Sequence, residues 1–227
     1  MKLVVFIGPQ GVGKTTLARF LVRQLLSKGF KICYVKLIDY TIFHHKYLML
    51  FKLVVKGSDL LKVFSKLFPL YIFMHFTGLL MSVTKAKFFQ LIEKCDILIE
   101  DEGFIFKEIP DLYFIVGVTG SWRERVNRYI IKYFLKFLIM ELNRIAKSCV
   151  VIYVNAPYNI LEMRYVERGK AEPKLYIDFQ NSLYKIMIQH LNTICKVSCH
   201  QLYIENVGRI SVLDLVNSIM ESFKETR

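Results

Sequence analysis

The chain has 227 residues, of which 54% are apolar and 22% are charged, and its formal net charge is +13. This length suits a single domain with a large core, and the apolar fraction excludes an intrinsically disordered protein. The positive charge predicts attraction to anions, and we interpret it as a solvated basic surface that steers anionic ligands toward the protein.

The most specific pattern lies at the start of the chain. An uninterrupted apolar run at 3–7 predicts a buried parallel strand, and residues 8–15 match the G-x-x-x-x-G-K-[ST] phosphate loop at every fixed position. Apolar residues at helical spacing follow directly. This order of strand, loop and helix predicts a nucleoside triphosphate site, and its candidate binding residues are Gly8, Pro9, Gln10, Gly11, Val12, Gly13, Lys14, Thr15 and Thr16.

The residue types of this loop suit phosphate chemistry. Glycines let successive backbone N–H groups point at phosphate oxygens, and the N-terminus of the following helix adds a partial positive charge. We expect Lys14 to be exposed and to reach the β- and γ-phosphates, while the Thr15 hydroxyl ligates Mg²⁺. The predicted cofactors are therefore ATP and Mg²⁺.

A second informative pattern is an apolar strand that ends in acidic residues at 100–102. Beside a phosphate loop, a carboxylate can hold the hydrated Mg²⁺ or take a proton from the attacking acceptor oxygen. Asp101 is the first candidate for both roles, Glu100 is the second and Glu102 is the weaker third. The alternative is an acidic turn at a strand end without a catalytic role.

Residues 41–94 combine amphipathic helical patterns with many lysines, and 67–83 carries no charge. This uncharged run only touches the lower limit of a membrane span, about 17 residues, and it contains Pro69 and Gly78. We therefore expect helices within the fold that line the acceptor side. The alternative is peripheral contact of 41–83 with an anionic membrane.

A further apolar run at 150–154 predicts another buried strand, and Pro157 suits the first turn of the helix that follows. Arg164 and Arg168 are four residues apart on this helix and hence share a face, and Gly169 comes next. We interpret residues from about 157 to 172 as a lid whose arginines close over the phosphate chain. The alternative is a solvated helix with local ion pairs.

The five cysteines are scattered along the chain, at positions 33, 95, 149, 195 and 199. Their odd number and apolar surroundings are typical of reduced thiols in a cytoplasmic protein, and their spacing matches no standard zinc site. A cytoplasmic location is the corresponding prediction.

The order of these segments resembles the thymidylate kinase and nucleoside/nucleotide kinase group of P-loop kinases over nearly the whole chain, most specifically at 150–170. The resemblance implies one domain over 1–227 with a three-layer α/β fold, in which helices flank a parallel sheet of about five strands and form a lid. It also implies transfer of the γ-phosphoryl group of ATP. By position, Lys14 and Thr15 would bind phosphates and Mg²⁺. The acids at 100 and 101 would correspond to the acid that ends the third strand in this group. Arg164 and Arg168 would correspond to its lid arginines.

Two departures from the thymidylate kinase pattern leave the acceptor open. Residues 37–39 read Leu-Ile-Asp instead of Arg-Glu-Pro, and Glu-Gly rather than Arg follows Asp101. A nucleoside monophosphate such as dTMP is the first expectation. The alternatives are a non-nucleotide acceptor of apolar or membrane-associated character, and a non-catalytic, membrane-attached ATP-binding regulator. A homodimer stays open, and no nucleic-acid partner is expected because the chain has no recognised binding module.

Overall fold

The computed structural model describes residues 1–9, 11–36, 84, 86–101, 133, 136–137, 140, 143–169, 174, 177–178, 181–182, 184–185, 198–205 and 212–224. Most of the region predicted to line the acceptor side (41–94), part of the predicted lid (170–172), Gln10 and Glu102 lie outside these residues.

Five strands form one parallel sheet. They are β1 (Lys2–Ile7), β2 (Ile32–Lys36), β3 (Ile97–Asp101), β4 (Ser148–Asn155) and β5 (Ser198–Glu205). Their order across the sheet is β2-β3-β1-β4-β5, so β1 lies at the centre with β3 and β4 as neighbours. In such sheets, ligands bind at the carboxyl edge where the strand order reverses. The predicted parallel α/β sheet is confirmed, and β1 delivers the phosphate loop to the middle of that edge.

Three helices are described over their full length: α1 (Lys14–Ser27), α2 (Tyr158–Glu167) and α3 (Val212–Lys224). α1 begins at Lys14, within the phosphate loop, and Gly29 follows its end in the left-handed conformation that favours glycine, with φ 84°. A short π-helical turn, Phe89–Glu93, precedes β3. No helix among the described residues is long and apolar enough to cross a membrane.

The core lies between the sheet and the α1–α3 pair. Alternate strand residues point to opposite faces, and Val4, Phe6 and Ile99 join the same buried cluster as Leu21 of α1 and Ile219 of α3. We call this side of the sheet the α1 face and the other side the opposite face. Full burial of one such side chain contributes roughly 1.5–3 kcal/mol to folding, so this packing holds α1 firmly against the strands that carry the site.

One prediction about the cysteines is wrong. Cys33 and Cys95 are joined by a disulfide with a Cα–Cα distance of 5.8 Å, within the range that such bonds require. The reason is the strand register, since Ile32 pairs with Ile97 and brings the starts of β2 and β3 together. Cys149 is a free, buried thiol, as the sequence predicted.

Candidate active site

The phosphate loop adopts a conformation that depends on its glycines. Gly8 has φ 136°, and a Cβ atom there would overlap the carbonyl oxygen of Val154 in β4. Gly11 has φ 83°, a region that side-chain-bearing residues rarely adopt. Gly13, also left-handed, is the N-cap of α1. The start of the loop therefore packs closely against the end of β4, and the N-terminus of α1 faces the carboxyl edge of the sheet.

Lys14 differs from expectation in its exposure. The sequence predicted an exposed side chain, whereas Lys14 is only 8% exposed. Its ammonium Nζ donates hydrogen bonds to the carbonyl oxygens of Gly8, at 2.8 Å, and Pro9, at 2.7 Å. A buried ammonium needs such acceptors, because an unpaired charge is costly to bury. The bonds hold the Lys14 charge within the phosphate loop.

Asp101 ends β3 on the α1 face and is fully buried. Its Oδ2 atom accepts a hydrogen bond of 2.7 Å from the Tyr34 hydroxyl, while its Oδ1 atom is buried and accepts no hydrogen bond from any residue that the structure describes. Leaving a buried carboxylate oxygen unsatisfied costs about 1–3 kcal/mol or more. Carboxylate oxygens are preferred ligands of Mg²⁺, so the chemistry of Oδ1 fits the predicted metal.

Tyr34 links Asp101 to α1. Burial, and then the hydrogen bond to Asp101, raise the pKa of the Tyr34 hydroxyl against the opposing effect of Arg19. Tyr34 therefore remains a protonated donor. Arg19 and Thr15 are four residues apart on α1 and lie on one helical face. Because Arg19 acts on Tyr34 of β2, this face of α1 points toward the side of β1 on which β2 and β3 lie, and the partly buried Thr15 shares that face.

Glu100 occupies a different environment from its neighbour. Side chains alternate along a strand, so Glu100 points to the opposite face, where it is 2% exposed. Its register partners in the adjacent strands are Val5 and Val35. The structure thus separates the two predicted acids, and only Asp101 shares a face with α1.

The two predicted lid arginines are also separated. The Arg164 Nη1 atom donates a hydrogen bond of 3.2 Å to the Gly11 carbonyl oxygen, across 153 residues of chain. Arg168 is the exposed C-cap of α2, followed by Gly169 at φ 63°. Arg164 therefore contacts the phosphate loop itself, whereas Arg168 lies in solvent at the end of the helix.

Tyr165 fastens α2 to the same loop. Its ring is 3% exposed, and its Cε1 atom lies 3.2 Å from the position that a Cβ on Gly11 would take. Leu161, one turn earlier, is fully buried in the core. The first part of the predicted lid is accordingly a packed helix, and its contacts with Gly11 restrict which residues that loop position can accept.

Sequence reasoning did not identify Tyr34, Arg19 and Tyr165 as parts of the site. Arg19 carried a readable signal, since it lies one helical turn after Thr15. The two tyrosines carried none, because their contacts depend on strand register and helix docking. No cluster of three or more His, Cys, Asp or Glu residues able to hold a metal occurs in the described part of the chain. A Mg²⁺ ion that keeps waters and phosphate ligands needs only one or two protein oxygens.

Comparison with known proteins agrees with the loop and the fold. The family model of novel STAND NTPase 3 matches residues 1–47, which include the phosphate loop, α1 and β2. This match covers too little of the chain to assign a family. No curated protein matches the sequence.

Solved structures with a similar fold include two of a deoxyadenosine kinase from M. mycoides. The one with bound dCTP has a TM-score of 0.55 at 16% identity and covers 99% of this chain and 100% of that chain. The one with bound dATP has a TM-score of 0.55 at 14% identity, with the same coverage. A shikimate kinase from Acinetobacter baumannii in complex with shikimate has a TM-score of 0.44 at 13% identity, covers 99% of this chain and 94% of that chain, and is too distant to carry an argument. The five-stranded parallel sheet, the phosphate loop and the similarity to the two deoxyadenosine kinase structures show that this chain has the P-loop kinase fold.

Proposed function

We propose that this protein is a P-loop phosphotransferase that moves the γ-phosphoryl group of ATP to a small acceptor with the help of Mg²⁺. The observation that carries the proposal is Asp101, which ends the strand beside the phosphate loop and whose buried Oδ1 atom has no hydrogen-bond partner among the described residues. Its place on the α1 face beside the loop suits this oxygen to serve as a metal ligand or a proton acceptor, roles that a loop which only binds a nucleotide does not need.

The loop and Lys14 supply the phosphate contacts in this proposal. The backbone N–H groups of the loop and the N-terminus of α1 bind the phosphate chain. The Lys14 ammonium exchanges its bonds to the Gly8 and Pro9 carbonyls for phosphate oxygens, so it needs no long movement to reach them. Thr15 and Asp101 would hold Mg²⁺, which neutralises charge on the β- and γ-phosphates when bound.

The arginines of α2 have two different roles in the proposal. Arg164 donates a hydrogen bond to the Gly11 carbonyl oxygen and so holds the loop in its binding conformation. Arg168, exposed and next to Gly169, has no such bond to the described residues of the loop and closes over the transferring group. Closure adds positive charge where negative charge develops and excludes water that would otherwise take the phosphoryl group.

A nucleoside monophosphate such as dTMP is the proposed acceptor. This part of the proposal depends on the resemblance at 150–170. The fold shared with a deoxyadenosine kinase adds nucleosides to the acceptors that should be tested. We propose a single domain over 1–227 and a cytoplasmic location, because ATP is the donor.

The test is transfer from γ-labelled ATP to a panel of acceptors. The panel contains dTMP, the other nucleoside monophosphates, deoxyadenosine, the other nucleosides and a sample without acceptor, each with Mg²⁺ and with EDTA. Lys14→Ala serves as the loop-deficient variant, and Lys28→Ala, an exposed residue after α1, is the matched control. We expect Mg²⁺-dependent label in one acceptor class with wild type and Lys28→Ala only. Binding of ATP without label in any acceptor would overturn the proposed activity.

A further inference from the structure

We propose that Cys33 and Cys95 form a thiol–disulfide exchange site whose co-reactant is a small anionic thiol that enters a cavity at the amino edge of the sheet. The site lies at the end of the sheet away from the phosphate loop, because β2 and β3 begin there. It is independent of the proposed phosphoryl transfer.

The bond joins the two ends of the crossover between β2 and β3. Cys33 is the second residue of β2 and Cys95 lies two residues before β3, with a sequence separation of 62. The crossover contains the region 41–94, which the sequence assigns to the acceptor side. Opening the bond would therefore release a constraint on a large part of the chain.

A cavity lined by described residues reaches one of the two cysteines. Cys33 and Cys95 are only 8% and 6% exposed, but Cys95 lines a cavity of about 660 Å³ and Cys33 does not. A volume of this size admits a small thiol. The attack of an incoming thiolate is therefore directed to the Cys95 sulfur, and Cys33 becomes the leaving group.

The charge of the cavity favours an anionic co-reactant. Its charged side chains are those of Lys2, Lys147 and Asp96. Asp96 also accepts a hydrogen bond of 2.8 Å from the Lys31 backbone N–H, which disperses its negative charge. Lys94 directly precedes Cys95 in the chain. Cationic surroundings attract an anionic thiol and stabilise the thiolates that form during exchange.

The reduced state has a hydrogen-bond acceptor in place. The Cys95 sulfur lies 3.6 Å from the carbonyl oxygen of Phe89 in the π-helical turn. A disulfide sulfur has no proton to donate, whereas a Cys95 thiol can donate to this oxygen. The same backbone conformation therefore suits both the Cys33–Cys95 disulfide and the two reduced thiols.

The exchange balances in two steps. A thiolate attacks the Cys95 sulfur, the Cys33–Cys95 bond breaks, and a mixed disulfide on Cys95 forms as Cys33 leaves as a thiolate. A second thiolate attacks the external sulfur of the mixed disulfide and releases Cys95. Two small thiols are oxidised to one small disulfide, the protein disulfide is reduced, and the protons of the small thiols pass to Cys33 and Cys95.

Peptide mapping tests the bond itself. Tryptic cleavage places Cys33 in the peptide 32–36 and Cys95 in the peptide 95–107. Protein oxidised with excess 2-hydroxyethyl disulfide and then blocked with iodoacetamide should yield these two peptides as one linked species. Treatment with 3-mercaptopropionate before blocking should yield them singly alkylated. Alkylation of both peptides in the oxidised sample, or a linked pair that survives the thiol, would overturn the proposal.

Rates of opening test the route through the cavity. The same folded protein is treated with anionic 3-mercaptopropionate or cationic 2-aminoethanethiol, as wild type, Lys147→Gln, or Lys185→Gln, which removes an exposed lysine that does not line the cavity. Comparing variants within one thiol cancels its intrinsic reactivity. We expect Lys147→Gln to slow the anionic thiol about threefold and not the cationic one, with Lys185→Gln near wild type. Equal slowing by both variants, or none by Lys147→Gln, would overturn the anionic route.

Discussion

The two faces of the sheet differ most at the carboxyl edge of β3. On the α1 face, Asp101 bonds to Tyr34, which in turn interacts with Arg19 of the helix that follows the phosphate loop. On the opposite face, the adjacent residue Glu100 lies beside Val5 and Val35 of the neighbouring strands. Two consecutive carboxylates thus have different surroundings because strand side chains alternate. Both side chains are carboxylates, so the face of the sheet on which each lies decides which one can take part in chemistry at the phosphate loop.

The largest expected effect comes from the loop lysine, which the proposed reaction requires whether Asp101 or Glu100 is the catalytic acid. We expect Lys14→Ala to lower kcat/KM by about 10³-fold, because the phosphate charge loses its main counter-charge. Steady-state kinetics and the melting temperature check this, with Lys28→Ala as the control. Substantial turnover in folded Lys14→Ala protein would contradict the proposed chemistry on either face.

The two acids give the direct comparison of the faces. We expect Asp101→Asn, which keeps the shape and removes the charge, to lower kcat by about 10²-fold. Glu100→Gln should lower kcat by less than about threefold, since the Glu100 side chain points to the face of the sheet opposite to α1. Measurement of kcat for both variants at saturating ATP and Mg²⁺ decides the question. The reverse order would move the catalytic acid to Glu100 and the opposite face.

The two arginines predicted for the lid test whether a residue bonded to the loop and a solvent-exposed residue affect activity in different ways. Arg164→Ala removes the bond to the Gly11 carbonyl, so we expect ATP affinity to fall by about tenfold. Arg168→Ala should instead lower kcat by about tenfold, with unchanged ATP affinity and more acceptor-independent hydrolysis. ATP titration in the absence of acceptor, combined with kinetics, separates the two effects. Identical profiles for the two variants would show that the arginines act as one pair.

The smallest effect is expected from the tyrosine that supports Asp101. Tyr34→Phe removes one hydrogen bond and leaves the ring, so we expect kcat to fall by a few-fold, about the net value of one typical hydrogen bond. The Mg²⁺ concentration for half-maximal activity should rise, because Asp101 loses its orientation. Tyr203→Phe, an exposed tyrosine in β5, is the control. If Tyr34→Phe needs the same Mg²⁺ concentration as wild type, the proposal that Asp101 binds Mg²⁺ would be contradicted.

Local patterns in the sequence predicted the phosphate loop, α1 and the buried strands. A left-handed glycine, an apolar run and a helical repeat are properties of neighbouring residues, so they can be read without knowledge of the fold. The ends of the elements were less certain. β4 extends over Ser148–Asn155 where the apolar run at 150–154 indicated a shorter strand.

The amino-acid sequence specifies which residues are available for phosphate chemistry, whereas the fold brings some of these residues into contact and keeps others apart. The Tyr34–Asp101 bond joins residues 67 apart, the Arg164–Gly11 bond 153 apart, and the Cys33–Cys95 disulfide 62 apart. Each of these contacts depends on strand register or on the docking of a helix against the loop. Local periodicity carries no information about either, because both follow from packing between distant segments around a shared core.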